Sequence, residues 1–213
     1  ALLVLPVAPV THTSLVLLAM VPCVCHRAPT PCIYTLSLHD ALPLYRSLFL
    51  NPVALSGNYF KTSNTLDAAY DSFWKELYKK HSILGSRDSN YLIWRYLKNP
   101  LTKFQVLTLK EKGSDDLFGY IIYAINDNKL TIYDLQHLNV KTKYILIQKL
   151  IQISRKEKCN SLYLLTSKVE PVPLKLKKFG FIPREEKHPL CYAAIDPELS
   201  LDTFHFFQGD RNV

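Results

Sequence analysis

Residues 130–165 read LTIYDLQHLNVKTKYILIQKLIQISRKEKCNSLYLL, and the changes of apolar period along them indicate the architecture. Apolar and polar side chains alternate over residues 130–135, which predicts a strand. From residue 141 to 157 the apolar side chains recur at three- and four-residue steps, as in a helix with one buried face. Residues 161–165 return to a strand pattern. A strand, a crossover helix and a second strand predict a parallel pair.

Two further strands are predicted immediately upstream, over residues 104–109 and 118–125. Short turns rich in Gly, Asp and Asn separate them from each other and from the strand that begins at Leu130. Turns of this kind join antiparallel neighbours. We therefore predict an α/β fold with a mixed sheet, in which the first strands are antiparallel and one crossover helix leads to a parallel strand.

Two helices are predicted before these strands. Apolar side chains recur with helical spacing over residues 66–78. A second helix is expected over residues 91–97, because Asp88 can cap its start and Pro100 disfavours its continuation. Residues 51–65 are rich in Asn, Ser and Thr, so they are predicted to form a linker or an entry loop.

The downstream chain is predicted to complete the sheet. A short helix over residues 172–178 leads to a final strand over residues 190–195. Phenylalanines within residues 204–207 give the tail enough apolar surface to dock on the domain. Residues 208–212 are polar and are predicted to fray.

The composition is that of a globular protein. Of 213 residues, 48% are hydrophobic and 21% are charged, which argues against disordered and fibrous classes. The net charge of +8 favours an anionic partner, namely a phosphorylated cofactor, a nucleic acid or an acidic surface. Only Arg27, Asp40 and Arg46 are charged within residues 1–47, so the basicity belongs to the later chain.

The apolar beginning of the chain fits neither a secretory signal nor a membrane span. Its first basic residue, Arg27, follows the apolar run, whereas a signal peptide has basic residues before it. Three prolines interrupt the roughly 20 residues that a spanning helix needs: Pro6, Pro9 and Pro22. We therefore expect no membrane partner.

The cysteines do not indicate a metal site. Cys23 and Cys25 lack a second ligand pair at suitable spacing, so no zinc site is predicted. Residues 50–213 contain only Cys159 and Cys191. Two lone cysteines are typical of reduced thiols, and we expect a cytoplasmic protein.

Residues 34–47 carry a resemblance of an unusual kind. Residues 34–43, YTLSLHDALP, are similar to the conceptual translation of a common sequencing adapter, and residues 44–47 resemble its end in another frame. The alternative is a short amphipathic segment that matches by chance. We accordingly predict that residues 1–49 are an artefactual or disordered segment and that residues 50–213 form the domain.

Residues 174–181, LKLKKFGF, place Gly-Phe between the end of the last predicted helix and the strand that follows. Together with the element order from Tyr91 onward, this motif resembles the GNAT superfamily of acyl-CoA-dependent N-acetyltransferases. Residues 73–74, 91–96 and 99–100 are similar to one branch in which two such domains occur in tandem. The resemblance implies acetyl-CoA or another acyl-CoA as cofactor, a small-molecule or peptide amine as acceptor, and a possible second GNAT domain as partner.

The resemblance also implies a cofactor site at the start of the crossover helix, where unpaired N–H groups and the helix dipole favour phosphate. Family members usually have glycines there, and this chain has none. Asn139 can cap the helix. Lys141 and Lys143 either supply positive charge to the phosphates or belong to an ordinary solvated first turn. The implied cofactor-binding residues are Leu138, Asn139, Val140, Lys141, Thr142 and Lys143.

Acyl transfer to an amine needs a base for the amine and an acid for the leaving thiolate. Many GNAT members place a tyrosine four residues before the glycine of the Gly-Phe motif, where this chain has Leu176. The remaining candidates are Asp134 and His137 as the base and Tyr133 as the proton donor. Each also has a structural interpretation, since Asp134 can bond backbone, His137 can lie in a surface loop and Tyr133 can pack in the sheet.

Three functional hypotheses remain open from the sequence. The first is an acyl-CoA-dependent N-acyltransferase. The second is a non-catalytic, degenerate GNAT-like module that packs against a partner domain, which would explain the missing glycines and tyrosine. A nucleic-acid binder is the weakest, because the basic residues of 155–158 and 175–178 accompany no recognised nucleic-acid motif, so no nucleic-acid partner is expected.

Overall fold

The computed structural model describes ten stretches of the chain. They are residues 26–27, 32–38, 58–63, 65–80, 85–114, 116–166, 176–177, 179–185, 191–192 and 207–210.

The described chain is built around a seven-stranded sheet with the strand order β3-β4-β5-β6-β7-β2-β8. A separate pair of short strands, β1 and β9, forms a second sheet. The strands are β1 His26–Arg27, β2 Cys32–Ser37, β3 Asn58–Ser63, β4 Gln105–Glu111, β5 Leu117–Asn126, β6 Lys129–His137, β7 Ser161–Thr166, β8 Ile182–Glu185 and β9 Cys191–Tyr192. The helices are α1 Ala69–Tyr78, α2 Ser89–Leu92, a π-helical turn Ile93–Leu97 that continues α2, and α3 Val140–Lys156.

The predicted mixed sheet is confirmed. β4, β5 and β6 pair antiparallel through short turns, and β6 pairs parallel with β7 across the crossover helix α3. β6 continues to His137, two residues beyond the predicted end of the strand, so Gln136 and His137 belong to the sheet. The predicted crossover unit therefore holds, with a longer first strand.

One residue of β6 has no partner in β5. Ile122 pairs with Asp134, and the next pair along β5 is Tyr123 with Ile132. Tyr133 is the extra residue of a β-bulge, which bends a strand and shifts the direction of its side chains. The bulge lies where β6 leaves its parallel neighbour.

Helices cover both faces of the sheet. α3 packs on one face over a cluster that includes Leu135, Leu146 and Leu150. α1 and α2 pack on the other face over a second cluster, which includes Phe73 and Tyr96. The sheet therefore separates two apolar clusters, one on each face. The segment that joins β6 to α3 lies beside both, and Leu138 packs against the second.

The entry loop predicted for residues 51–65 is wrong in part. Asn58–Ser63 forms β3, which pairs antiparallel with β4 from Ser63↔Val106 to Asn58↔Glu111. The Asn and Ser residues of this stretch indicated a loop, although it also contains Tyr59 and Phe60. Aromatic side chains favour strands when a neighbouring strand supplies the backbone hydrogen bonds. An edge strand needs only one apolar face, which a composition of this kind still provides.

The N-terminal region contributes a strand to the main sheet. β2 pairs antiparallel with both β7 and β8, and Tyr34 and Leu36 are buried in the cluster under α3. β2 overlaps the segment that resembles a translated adapter. β2 lies before residue 50, in the segment predicted to be artefactual or disordered. The domain boundary at residue 50 stays a prediction.

The end of the chain follows the predicted order. A helical turn at residues 176–177 precedes β8, and Cys191–Tyr192 forms β9 within the predicted final strand. β9 pairs with β1 rather than with the main sheet. No helix among the described residues is long and apolar enough to cross a membrane.

Candidate functional site

A gap opens between β6 and β7 at the carboxyl ends of the two strands. Their parallel pairing runs from Lys129↔Ser161 to Ile132↔Leu164 and then stops. β6 continues to His137 and β7 to Thr166 without further pairing to each other. In α/β sheets, ligands bind beyond the carboxyl ends of strands where neighbouring chains part.

The start of α3 lies at the same end of the sheet. The Asn139 side chain accepts hydrogen bonds from Thr142 N at 2.8 Å and from Thr142 Oγ1 at 3.1 Å, so it caps the helix as expected. Val140 and Lys141 are exposed, whereas Thr142 and Lys143 are buried. Since the cap engages Thr142 N, the first-turn N–H groups nearest to solvent are those of Val140 and Lys141.

Gly119 allows β5 to approach this helix start closely. A Cβ at Gly119 would lie 2.7 Å from the Gln136 carbonyl oxygen and 2.8 Å from Thr142 Cγ2, both closer than such atoms can come. Thr142 and Leu146 therefore pack directly on the backbone of β5. On the other face of the sheet, the Lys80 ammonium donates to the Leu138 carbonyl oxygen at 3.0 Å.

The two lysines of the first turn differ in position. Lys141 is exposed, so its charge is available at the helix start. Lys143 is 2% exposed, on the buried side of α3. The sequence could not separate them, because both positions carry the same side chain in one polar turn.

Tyr133, the bulge residue, is half-buried against the aromatic residues on the α1 and α2 face. Its ring meets Phe104 edge-on with 4.8 Å between ring centroids. Phe104 also lines a surface depression of about 390 Å³ together with Leu97 and residues 99–103. Burial raises the pKa of Tyr133, so its hydroxyl is protonated at neutral pH.

Asp134 is fully buried and engaged by three side chains. Arg87 Nε lies 2.7 Å from Asp134 Oδ2, and the Tyr120 hydroxyl donates to the same oxygen at 3.4 Å. Gln136 Nε2 donates to Asp134 Oδ1 at 2.8 Å. Both carboxylate oxygens therefore have partners within the protein.

Charge balance in this cluster depends on Arg87. Burial raises the pKa of Asp134, while the Arg87 guanidinium opposes that shift. Burial disfavours the charged form of Arg87 as well, but the carboxylates of Asp134 and Asp210 outweigh it, and the pKa of Arg87 is raised. Arg87 is therefore a permanent cation between two acidic groups.

The second acidic group comes from the end of the chain. Gln208–Asp210 forms a 3-10 turn, and we call residues 207–210 the tail segment. Phe207 bridges to Thr166 at the end of β7 and is buried in the cluster under α3. The tail segment thus lies across the gap, so the prediction that residues 208–212 fray is wrong for residues 208–210.

Arginines hold the tail segment in place. Arg87 Nη2 donates to Asp210 Oδ1 at 2.5 Å, and Arg95 donates to the Gly209 carbonyl oxygen from Nε at 3.2 Å and from Nη2 at 2.9 Å. The Phe207 N–H donates to Asp210 Oδ2 at 2.9 Å, which closes the turn on itself. Sequence reasoning missed Arg87 and Asp210, since nothing local distinguishes a buried arginine from an exposed one.

The three predicted catalytic residues do not converge. Tyr133 and Asp134 lie toward the α1 and α2 face because the bulge directs both to that side. His137 follows two residues after Leu135, which packs under α3, so strand alternation directs it to the opposite face. Leu176, at the position where many GNAT members have a tyrosine, is fully buried in the cluster under α3. A hydrocarbon side chain suits that apolar position.

The aromatic residues within 73–74 and 91–96, the segments similar to the tandem GNAT branch, divide between core and surface. Phe73 and Tyr96 are buried, so they are core residues. Trp94 is 64% exposed and Tyr91 lies beside it, with 5.9 Å between ring centroids.

In the part of the chain that the structure describes, the antiparallel strands β4–β6, the crossover helix α3 and the parting of two parallel strands form the mixed α/β architecture of a GNAT-like fold. No protein-family model and no curated protein sequence matches the chain. Solved structures do resemble it.

A conserved protein of unknown function from Enterococcus faecalis V583, given as a probable N-acyltransferase, superposes with a TM-score of 0.53 at 13% identity. The match covers 76% of this chain and 38% of that chain. A tandem GNAT protein from the clavulanic acid biosynthesis pathway gives a TM-score of 0.51 at 13% identity, over 76% of this chain and 53% of that chain. The chain thus spans about half or less of these proteins, and at such identity the likeness shows the fold alone.

Proposed function

We propose that the chain is an acyl-CoA-dependent N-acyltransferase that acts on an amine of a small molecule or peptide. The observation that carries the proposal is the parting of β6 from β7 beside the exposed first turn of α3. This arrangement offers a slot for an extended chain next to N–H groups that favour phosphate. Both features are needed to bind a nucleotide cofactor with a long amide-bearing arm.

The cofactor would be acetyl-CoA or another acyl-CoA, which supplies an activated thioester. Residues 138–143 are proposed to hold its phosphates. The first-turn N–H groups of the exposed residues Val140 and Lys141 and the Lys141 ammonium fit an anion. The absence of glycine leaves β-carbons at these positions, so we expect binding that relies more on the lysine charge than on close backbone approach.

One of the two proton transfers is assigned to a residue of β6. Tyr133 is proposed as the acid that protonates the leaving thiolate, because its hydroxyl is protonated at neutral pH and its ring is fixed against Phe104. His137 lies toward the opposite face of the sheet from Tyr133, so it is not paired with Tyr133 as the base. Asp134 has both oxygens engaged by Arg87, Tyr120 and Gln136, which suits a residue that positions its neighbours.

The alternative function is a non-catalytic, degenerate GNAT-like module that packs against a partner domain. The tail segment favours it, because residues 207–210 occupy the gap in which a cofactor arm would lie. A second GNAT domain is the partner to consider, since one structural neighbour is a tandem GNAT protein.

Calorimetric titration of the full chain with acetyl-CoA tests the proposal. We expect binding, and Lys141→Glu should weaken it about tenfold by placing a negative charge at the helix start. Lys112→Glu, an exposed lysine in the turn between β4 and β5, is the matched control for charge. Absence of binding at about 1 mM acetyl-CoA, both in the full chain and in variants whose residues 207–210 are destabilised, would remove the enzyme proposal. Binding without turnover over a panel of amines would favour the module.

A further inference from the structure

The tail segment lies in the gap between β6 and β7 and contacts both strands. A Cβ at Gly209 would overlap the Tyr96 hydroxyl and would lie 2.9 Å from the Tyr133 carbonyl oxygen. At the other edge, Phe207 bridges to Thr166, the last residue of β7. The backbone of residues 207–210 therefore reaches from one parted strand to the other.

The contacts of the tail segment are specific. Phe207 is 2% exposed, so it fills an apolar site, and Gly209 is the residue type that the close approach to Tyr96 requires. Asp210 meets Arg87, a cation that is 1% exposed. An apolar anchor, a backbone contact and a buried ion pair together form a built site for this short sequence.

Arg87 would keep an ionic partner if the tail segment were released. If Asp210 departs, Arg87 still has the Asp134 carboxylate 2.7 Å away, so no buried charge is left without a partner. A buried ion that loses every partner is strongly destabilising, whereas an ion that keeps one does not incur that penalty. Asp210 is also the most accessible of the three, with 17% of its side chain exposed.

We propose that the tail segment is an internal inhibitor that competes with the amide-bearing arm of acyl-CoA for the gap between β6 and β7. This inference rests on the proposed function. Only one of the two chains can lie against the bulge of β6 at a time. The apparent affinity for acyl-CoA is then the intrinsic affinity multiplied by the fraction of molecules whose tail segment is released.

Two substitutions in the full chain test this competition by calorimetric titration with acetyl-CoA. Asp210→Ala removes the contact with Arg87, and Gly209→Val places a side chain where the Tyr96 hydroxyl lies. Both should bind acetyl-CoA about tenfold more tightly than the unsubstituted chain, because both raise the released fraction. Asp116→Ala, an exposed aspartate in the turn before β5, should leave the affinity unchanged.

Hydrogen exchange of the unsubstituted chain tests the same point without a variant that could unfold. The Phe207 N–H, which donates to Asp210, should exchange faster when acetyl-CoA is added. Slower or unchanged exchange would overturn the inference.

The outcomes separate the inference from the proposed function. Equal acetyl-CoA affinity in all four chains would overturn the competition and leave the acyltransferase proposal in place. No binding to any of them would remove both. Tighter binding by the two tail variants alone, with faster exchange at Phe207, is the expected result.

Discussion

Tyr133 combines two properties that a proton donor needs. Its hydroxyl is protonated at neutral pH, since burial only raises a tyrosine pKa that already lies well above neutrality, and its ring is fixed by the edge contact with Phe104. We predict that Tyr133→Phe lowers kcat by about 100-fold, the scale of general acid catalysis, and leaves the KM for acetyl-CoA unchanged. Steady-state kinetics on any accepted amine measures both values.

Tyr123→Phe is the control for loss of a tyrosine hydroxyl. The Tyr123 side chain lies under α3, on the opposite face of the sheet from Tyr133, and its hydroxyl donates to Gln105 Oε1 at 2.7 Å, so kcat should not change. An unaltered kcat in Tyr133→Phe would exclude this residue as the acid.

Asp67 and Lys110 form a pair whose contribution depends on pH. Lys110 Nζ lies 2.8 Å from Asp67 Oδ2; the lysine is buried and the aspartate is half exposed. Burial acts to raise the pKa of Asp67, but the hydrogen bond and charge of Lys110 outweigh it, and the pKa is lowered. A carboxylate with a lowered folded-state pKa stabilises the fold above its unfolded value of about 3.9, and the effect disappears as pH falls through the folded value.

We therefore predict that Asp67→Asn lowers the free energy of unfolding by about 1 kcal/mol at pH 7, a modest figure because solvent screens the exposed carboxylate. The loss should be smaller at pH 3, which lies below the unfolded value, because the stabilisation falls as pH drops toward and through the lowered pKa of the folded state. Urea unfolding at the two pH values measures the difference, with Asp116→Asn as the control. The same loss at both pH values would contradict the role of the charge.

Among the elements, α3 and its two flanking strands were the most predictable. Their apolar residues follow the period of each element over many residues, and local pattern alone gives the bounds to within two residues. β3 was missed because its strand state depends on pairing with β4, which lies more than 40 residues away in sequence. The tail segment was missed for the same reason, since its turn is held by Arg87 and Arg95.

The candidate site could be predicted only in part. Asn139 acts as the helix cap that the sequence indicates, because capping is a local interaction. The burial of Asp134 could not be anticipated, since it depends on an arginine 47 positions earlier that carries no local mark. Long-range ion pairs leave no periodic signal in a single sequence.

The contact between β5 and α3 gives a prediction at the level of elements. Gly119→Ala should lower the free energy of unfolding by about 1–3 kcal/mol, because its β-carbon would overlap the Gln136 carbonyl oxygen and Thr142. It should also weaken acetyl-CoA binding, since Thr142 lies in the first turn of α3. Ser114→Ala, in the exposed turn before β5, is the control, and an equally small effect of both changes would contradict the close contact.

For the molecule as a whole, the question is whether residues 50–213, which lack β2, are sufficient to fold. β2 lies between β7 and β8, and its removal would leave two strand edges unpaired and the apolar site of Tyr34 and Leu36 empty. We predict that a chain of residues 50–213 unfolds at a lower urea concentration than the full chain, by several kcal/mol of stability.

The outcome also bears on the resemblance of residues 34–47 to an adapter. An identical unfolding midpoint for the two chains would show that β2 is dispensable and would support the boundary at residue 50. In that case another segment would be expected to pair with β7, and the predicted strand over residues 190–195 is the first candidate.

The bulge at Tyr133 has a consequence for comparing this chain with others. The two halves of β6 are out of phase by one position, because one residue is inserted relative to its neighbour β5. An alignment that runs through β6 without a gap at residue 133 would match Asp134 and Gln136 to positions on the wrong side of a related strand. Matching the two halves separately is therefore required before any conserved carboxylate is sought there.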